Sequence, residues 1–226
     1  IAILATLVTG AILCLFNGVA GAKFGIPTFI VTVATMELFR GLGYALTDNR
    51  PVSIDDNFIL SIGNQRLFNV IPIPVLIVLV LMVAGHIVLN KTKFGRQLKI
   101  IGGNKTAAEY IGIKTKKLKI IVFMIAGVAS SIGGIIMASR LYSAQPNTGV
   151  AYELDAIAAA VLGGTSLTGG VGTIIGTFIG ALIIGVINNG MNLLGLESYY
   201  QQIAKGAIII LAVYIDVRNK RKVLGK

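Results

Sequence analysis

Long apolar runs separated by short polar connections form the main pattern along this chain. Residues 1–22 and 120–139 carry no charged side chain, residues 70–90 contain His86 as their single titratable group, and residues 156–196 contain no Asp, Glu, Lys or Arg. About 20 apolar residues in a helix cross the hydrocarbon core of a bilayer. The pattern predicts an all-α, polytopic membrane protein.

The apolar runs and their flanking residues predict where each passage begins and ends. Pro27, which follows Gly25, marks the start of the second passage because proline is favoured in the first turn of a helix. The passage at 155–167 is short for a full span, so we expect a re-entrant or broken helix, whose irregular backbone must be covered by protein or line a water-filled path. The predicted passages are 1–23, 27–46, 71–90, 119–141, 155–167, 172–194 and 203–215.

Composition and charge support the membrane assignment and orient it. Hydrophobic residues make up 55% of the chain and charged residues 13%, and the mean hydropathy is +0.84, which is seldom seen in a soluble domain. The net charge of +11 is concentrated, since residues 91–119 hold nine basic side chains against one acid and residues 216–226 hold five against one. Because cytoplasmic loops carry an excess of Lys and Arg, both segments are predicted to be cytoplasmic. This clustering argues against nucleic-acid binding. By the same rule, the connections at 47–69, 142–155 and 197–202 are predicted to lie on the external side of the membrane.

The residues that usually carry catalysis or bind metals are sparse. Cys14 is the single cysteine and lies inside an apolar run, where a packing role is expected. No Walker motif is present, and His86 has no partner at a spacing typical of a metal site. We therefore expect no catalytic residue, metal ion or cofactor in this chain. The sequence begins at Ile1 without a methionine, so the natural amino terminus is expected to precede it.

Small residues spaced four apart predict close helix packing on two passages. In lipid, no hydrophobic driving force brings helices together, so their association depends on close van der Waals packing. Small side chains permit this packing because they let the helix backbones approach each other. The two sets are Gly172, Gly176 and Gly180, and, on the preceding long span, Ala126, Ser130 and Gly134.

A second group of glycines has no fixed period and surrounds Thr165, Ser166 and Thr168. It indicates a hinge or chain reversal whose hydroxyls are satisfied within the protein. A phosphate cradle is disfavoured, because no Gly-Lys-Ser/Thr follows and no strand precedes. The glycines are Gly163, Gly164, Gly169 and Gly170.

Polar residues inside apolar passages are candidates for a translocation path or gate, because a polar group at membrane depth is costly unless it has a role. The asparagines among them have an alternative role, which is to hydrogen-bond a neighbouring helix. Glu37 and Arg40 are close enough on one helix to form a structural ion pair. The path candidates are Thr165, Ser166, Asn188, Asn189 and Asn192.

The basic connection contains a segment, residues 104–112, that is too polar to cross the membrane and too apolar to be a simple linker. A short amphipathic helix there, with Ala107, Tyr110 and Ile111 on one side, would suit a socket on another protein. The alternative is a solvated basic loop.

Four stretches that together cover nearly the whole chain carry a family resemblance: TFIVTVATMELFRGLGYALT, FGRQLKIIGGNKTAAEYIGIKTKKLK, RLYSAQPNTGVAYELDAIAAAVLGGTSLTGGVGTIIGTFIGALIIGVINNGMNLLG and SYYQQIAKGAIIILAV. In these stretches the chain resembles the membrane permeases of bacterial ABC importers for ribose and other monosaccharides.

This resemblance implies that residues 1–226 form one permease transmembrane domain, with residues 91–119 as its cytoplasmic coupling loop. Thr106 stands where the wider superfamily often has an acidic residue. The family normally has additional amino-terminal spans, so this chain is expected to be truncated relative to it. The residues implied to dock on the ATPase subunit are Gly103, Asn104, Ala107, Ala108 and Gly112.

The resemblance also implies a bacterial inner-membrane location, a cytoplasmic carboxyl terminus and several partners. These are a second permease copy, an ABC ATPase that uses ATP and Mg, an extracytoplasmic sugar-binding protein, a monosaccharide and membrane lipid. A membrane scaffold or channel subunit is the alternative, and an intramembrane enzyme is disfavoured because the spans lack a catalytic constellation. Residues in one external connection are candidates for docking the binding protein, with an ordinary interfacial belt as the alternative: Arg140, Tyr142, Gln145, Tyr152, Glu153 and Asp155.

Overall fold

The structure is a computed structural model that describes residues 1–223. The prediction for the basic tail at 216–226 rests mostly on side chains outside the described set. The helices are α1 (Ala2–Lys23), α2 (Thr28–Thr47), α3 (Asn57–Asn64), α4 (Ile73–Lys91), α5 (Lys93–Gly103), α6 (Lys105–Tyr110), α7 (Thr115–Arg140), α8 (Tyr152–Leu162), α9 (Ile174–Leu193) and α10 (Ser198–Val223).

The prediction of an all-α, polytopic membrane protein is confirmed. Within the described residues, α1, α2, α4, α7 and α9 are long and apolar enough to cross a membrane. The strands in the described part of the chain form two short pairs: β1 (Val52–Ser53) is antiparallel to β4 (Ser143–Ala144), and β2 (Arg66–Leu67) is antiparallel to β3 (Ile71–Pro72).

The chain divides into two compact units. The first comprises residues 1–80 and 114–148, and the second comprises residues 81–113 and 149–226.

In the first unit, α1 packs along α7 through backbone contacts at glycines. A Cβ at Gly127 would overlap the carbonyl oxygen of Gly10, and one at Gly18 would lie 3.0 Å from the Cα of Ile120. The predicted packing set on α7 does not make this contact, because Ala126 and Ser130 are exposed and a Cβ at Gly134 would meet no atom of the described residues within 4 Å.

A short helix that the sequence analysis did not predict, α3, packs on α7 through Ser139. Asp56 begins α3 by accepting hydrogen bonds from the backbone N–H groups of Phe58 and Ile59. The fully buried Ser139 hydroxyl accepts from the Gly63 N–H at 2.8 Å and lies 2.7 Å from the Ile59 carbonyl oxygen, to which it can donate.

In the second unit, the predicted broken helix is confirmed as α8, whose 11 residues are too few to cross a bilayer. It ends where Gly164 adopts φ +81°. The Gly164 N–H bonds the Val161 carbonyl and the Thr165 N–H bonds the Ala160 carbonyl, both at 2.9 Å, which is a Schellman ending.

Helix α9 then packs back on α8 through small residues. A Cβ at Gly176 would overlap the carbonyl oxygen of Gly163, and one at Gly180 would overlap that of Ala159. The prediction that Gly172 lies on the same helix face was wrong, because Thr173 caps α9 by accepting from the Gly176 N–H. The core of this unit consists of Ala158, Ala159 and Ile184, with Ile208 of α10 packed against it.

Candidate functional site

The basic segment is helical over most of its length. Thr92 caps α5 by accepting from the Gly95 N–H at 3.2 Å. Asn104 separates α5 from α6 and caps α6 by accepting from the Ala107 N–H at 3.0 Å. The segment is therefore an ordered helix pair, which weighs against the alternative of a solvated loop.

Gly112 ends α6 with a second Schellman motif. Its φ is +82°, the Gly112 N–H bonds the Glu109 carbonyl at 3.0 Å, and the Ile113 N–H bonds the Ala108 carbonyl at 3.0 Å. A Cβ at Gly112 would meet no atom of residues 1–223 that the structure describes within 4 Å. Within this chain, glycine is therefore favoured there by its left-handed backbone conformation.

Burial within α6 differs from the sequence-based expectation. Ala108 is 0% exposed, so its small size is already required by packing inside this chain. The side chains available to a partner are those of Tyr110, 88% exposed, and Ile111, 67% exposed, together with the exposed Ala107. The exposed side chains of α6 and its C-cap residue thus include these three, whereas the Ala108 side chain is enclosed by the chain itself.

The end of α5 crosses the glycine-rich loop between α8 and α9, and the two backbones are in direct contact there. A Cβ at Gly102 would overlap the backbone nitrogen of Gly170 and lie 2.9 Å from its Cα. A Cβ at Gly169 would lie 2.8 Å from the Gly102 carbonyl oxygen. Gly169 and Gly170 also have φ values of +94° and +81°. The crossing therefore tolerates no side chain at Gly102 or Gly169 without a backbone shift.

The hydroxyls in this loop are engaged within the protein. Thr165 Oγ1 lies 3.2 Å from Thr177 Oγ1, and Ser166 Oγ lies 3.3 Å from Thr168 Oγ1. The Ser166 N–H donates to the Val171 carbonyl at 3.0 Å. These bonds hold the chain reversal closed.

A polar cluster joins α8, α9 and α10. Lys205 Nζ lies 2.9 Å from Asp155 Oδ2, and the two side chains are 17% and 20% exposed. Asn188 Nδ2 donates to the same carboxylate oxygen at 3.4 Å. Asp155 Oδ1 and Asn188 Oδ1 are buried without a hydrogen-bond partner in the described structure. The cluster is a largely buried ion pair that ties the short helix α8 to α10.

The other asparagines of α9 differ in their surroundings. Asn192 Oδ1 accepts from Gln201 Nε2 of α10 at 2.8 Å, whereas Asn189 is exposed. Asn188 and Asn192 thus make the helix-to-helix bonds that the sequence left as an alternative to a path role.

The external-docking candidates are divided between the two units. In the first unit, Arg140 and Tyr142 are exposed, and Gln145 Nε2 donates to Ser143 Oγ at 3.0 Å. In the second unit, Tyr152 and Glu153 are exposed at the start of α8. Asp155 differs from these residues, because its carboxylate pairs with Lys205 and its side chain is only 20% exposed.

Two residues that matter in the structure were not singled out from the sequence. Lys205 is a charge inside the predicted passage at 203–215, which is a recognisable signal of a buried partner. Gly102 had no such signal, because its constraint comes from a loop distant in the sequence. Among the described residues, no group of three His, Cys, Asp or Glu side chains is placed to hold a metal ion.

A family model described as a branched-chain amino acid transport system permease component matches residues 1–213. The chain belongs to this permease family. It is 47% identical over 201 residues to the ribose import permease protein of Bacillus subtilis, covering 88% of this chain and 62% of that protein. It is 46% identical over 214 residues to the ribose import permease protein of Haemophilus influenzae, covering 93% of this chain and 66% of that protein.

A second sugar permease is also similar. The L-arabinose transport system permease protein of Escherichia coli K12 is 42% identical over 206 residues, covering 91% of this chain and 62% of that protein. The chain thus spans about two thirds of the length of these curated relatives. No solved structure matches the permease chain.

Proposed function

We propose that this chain belongs to the membrane subunit of an ATP-driven ABC importer and helps to form the translocation path for a monosaccharide, with ribose as the first candidate. Support for the sugar comes from two relatives named as ribose import permeases and one named as an arabinose permease. The decisive observation for the mechanism is the backbone crossing of Gly102 with the Gly169–Gly170 turn. It connects the segment that leads into α6 directly to the broken helix hairpin.

In this mechanism, α6 sits in a socket of a separate ATPase subunit and moves with it during the nucleotide cycle. Tyr110 and Ile111 supply the apolar contact, because they are the large exposed side chains of that turn. Movement of α6 reaches α5 through Asn104, and α5 displaces the hairpin loop through the glycine crossing. ATP and Mg are bound and used by the ATPase, and this chain is a permease with no catalytic site of its own.

The remaining parts of the proposal follow from the importer assignment. A second permease copy completes the path, and an extracytoplasmic binding protein delivers the sugar to exposed residues such as Arg140, Tyr142 and Glu153. The protein resides in the bacterial inner membrane with α6 and the carboxyl terminus in the cytoplasm. The basic segments at 91–119 and 216–226 support that orientation.

The function is tested by sugar uptake in cells that lack their ribose permease and express the gene encoding this chain together with its ATPase and binding protein. Uptake of labelled ribose that stops when ATP is depleted is the expected result. Uptake of arabinose but not ribose would change the assigned sugar. Failure to transport any monosaccharide, with the protein present in the membrane and no ATPase co-purifying with it, would refute the importer and favour a scaffold.

A further inference from the structure

The first unit contains a cavity that the proposed mechanism does not yet use. It has a volume of about 570 Å³ and lies among α1, α2, α7 and the chain that follows β4. Small-molecule sites in proteins usually occupy roughly 300–1,000 Å³. The cavity is therefore large enough for a small organic solute, and it lies between three helices long and apolar enough to span the membrane.

The lining is unusually polar for apolar helices. Asn17 of α1 is 7% exposed, and its amide oxygen is buried without a hydrogen-bond partner in the described structure. A buried acceptor without a hydrogen-bond partner is costly, so a ligand that donates a hydrogen bond is favoured beside it. The other polar lining residues include Thr32, Thr35, Ser130, Ser131 and Thr148.

Two of the lining hydroxyls can still accept hydrogen bonds. Thr35 Oγ1 donates to the Val31 carbonyl at 2.9 Å, and Ser131 Oγ donates to the Thr6 carbonyl at 3.1 Å. A hydroxyl that donates one bond keeps lone pairs for incoming donors. The lining thus offers acceptors to a molecule rich in O–H groups.

The charge and shape of the lining favour a neutral ligand. Arg40 lines the cavity, and its Nη1 lies 3.5 Å from Glu37 Oε1, so its charge is balanced on its own helix. The remaining guanidinium N–H groups are donors for ligand oxygens. Phe39, Met36 and Leu13 add apolar surface suited to the C–H face of a sugar ring.

We infer that this cavity is a sugar-binding station on the translocation path and that Asn17 and Thr35 contact the hydroxyls of the monosaccharide. The inference rests on the proposed importer function and adds to it a location and named contacts. A ligand-free packing void between helices is the competing explanation.

Cys14 supplies a direct probe, because it lines the same cavity and is the single cysteine of the chain. The experiment uses the assembled transporter with Cys14 as its only cysteine and a small water-soluble methanethiosulfonate reagent. The extent of Cys14 labelling is measured at increasing ribose concentration. Betaine at equal osmolality is the control for effects of solute alone. We expect Cys14 to react and ribose, but not betaine, to protect it.

Two variants assign the contacts. Asn17→Ala removes the amide, and Thr35→Val removes a hydroxyl at nearly constant shape, so the second keeps the test valid should the first fail to fold. Loss of one hydrogen bond weakens binding by about five- to tenfold, and the ribose concentration for half-protection should rise accordingly. Thr6→Ala on α1 is the matched control, because the Thr6 side chain is exposed and donates a hydrogen bond to the Ala2 carbonyl of its own helix.

The outcomes separate the two proposals. A Cys14 that does not react, or reacts without protection while ribose uptake proceeds, overturns the sugar station and leaves the importer intact. Protection that is unchanged in both Asn17→Ala and Thr35→Val overturns the assigned contacts. Absence of uptake for every monosaccharide in the unmodified transporter is a failure of the importer proposal itself.

Discussion

Replacing Gly102 by alanine tests whether the end of α5 transmits movement to the hairpin between α8 and α9. The added methyl would overlap the Gly170 nitrogen and lie 2.9 Å from the Gly170 Cα, so the two backbones must separate by about 1 Å to regain ordinary contact. Forced overpacking of this kind costs about 1–3 kcal/mol. Replacing glycine in a helix recovers up to about 1 kcal/mol.

At the middle of these two ranges the net cost is about 1.5 kcal/mol, which lowers the population in which α5 and the hairpin loop stay in contact by roughly tenfold. We expect Gly102→Ala to reduce ribose uptake per ATP hydrolysed by about tenfold, because the ATPase still docks on α6 while the hairpin no longer follows α5. The measurement is uptake and ATP hydrolysis in proteoliposomes, together with the amount of ATPase that co-purifies.

Gly103→Ala is the comparison, because Gly103 is the adjacent residue of the same helix and its added Cβ would meet no atom of the described chain within 4 Å. It should keep its uptake per ATP close to that of the unmodified protein. Loss of ATPase binding in Gly103→Ala would identify Gly103 as a docking residue, as its resemblance-based assignment implies. Normal coupling in Gly102→Ala would refute the transmission of movement through the glycine crossing.

Four further predictions address docking, folding and orientation. Tyr110→Ala should lower the amount of co-purifying ATPase several-fold without lowering the amount of permease in the membrane. Lys116→Ala should change little, because a single exposed charge contributes weakly. Equal ATPase retention in both variants would show that Tyr110 is not part of the docking surface. Ser139→Ala should destabilise the first unit by about 1–3 kcal/mol, because the Gly63 N–H loses its buried acceptor. Thermal unfolding in detergent measures this loss. Ser130→Ala, at an exposed position, should unfold near the temperature of the unmodified protein. Lys205→Met should lower the free energy of unfolding by about 3–5 kcal/mol, because it leaves the Asp155 carboxylate buried without its ion-pair partner. Adding Asp155→Asn to the same chain should restore part of that stability. A double variant no more stable than Lys205→Met would contradict the ion-pair explanation. Cysteine placed at position 99 should react with an impermeant reagent only after the cells are opened, and cysteines at 55 and 147 should react in intact cells; reaction of position 99 from outside would reverse the proposed orientation.

Local chemistry was sufficient to predict most of the helical frame. The apolar runs predicted α1, α2, α4, α7 and α9, because an apolar run that crosses lipid must satisfy its backbone hydrogen bonds internally, and a helix does so. The break after α8 was also predictable, since adjacent glycines at 163 and 164 permit a left-handed backbone that ends a helix. The short helix after Asn104 followed from residues within one turn of each other.

Tertiary structure decided which of the available faces and charges meet. Spacing alone selected Ala126 and Ser130 as a packing surface, but α1 contacts the neighbouring face at Gly127. Sequence likewise assigned Asp155 to the exterior and Ala108 to a partner, whereas Lys205 pairs with the first and packing within the chain buries the second. The physical reason is that periodicity records how a helix presents its own residues, whereas burial and pairing depend on distant segments brought alongside it.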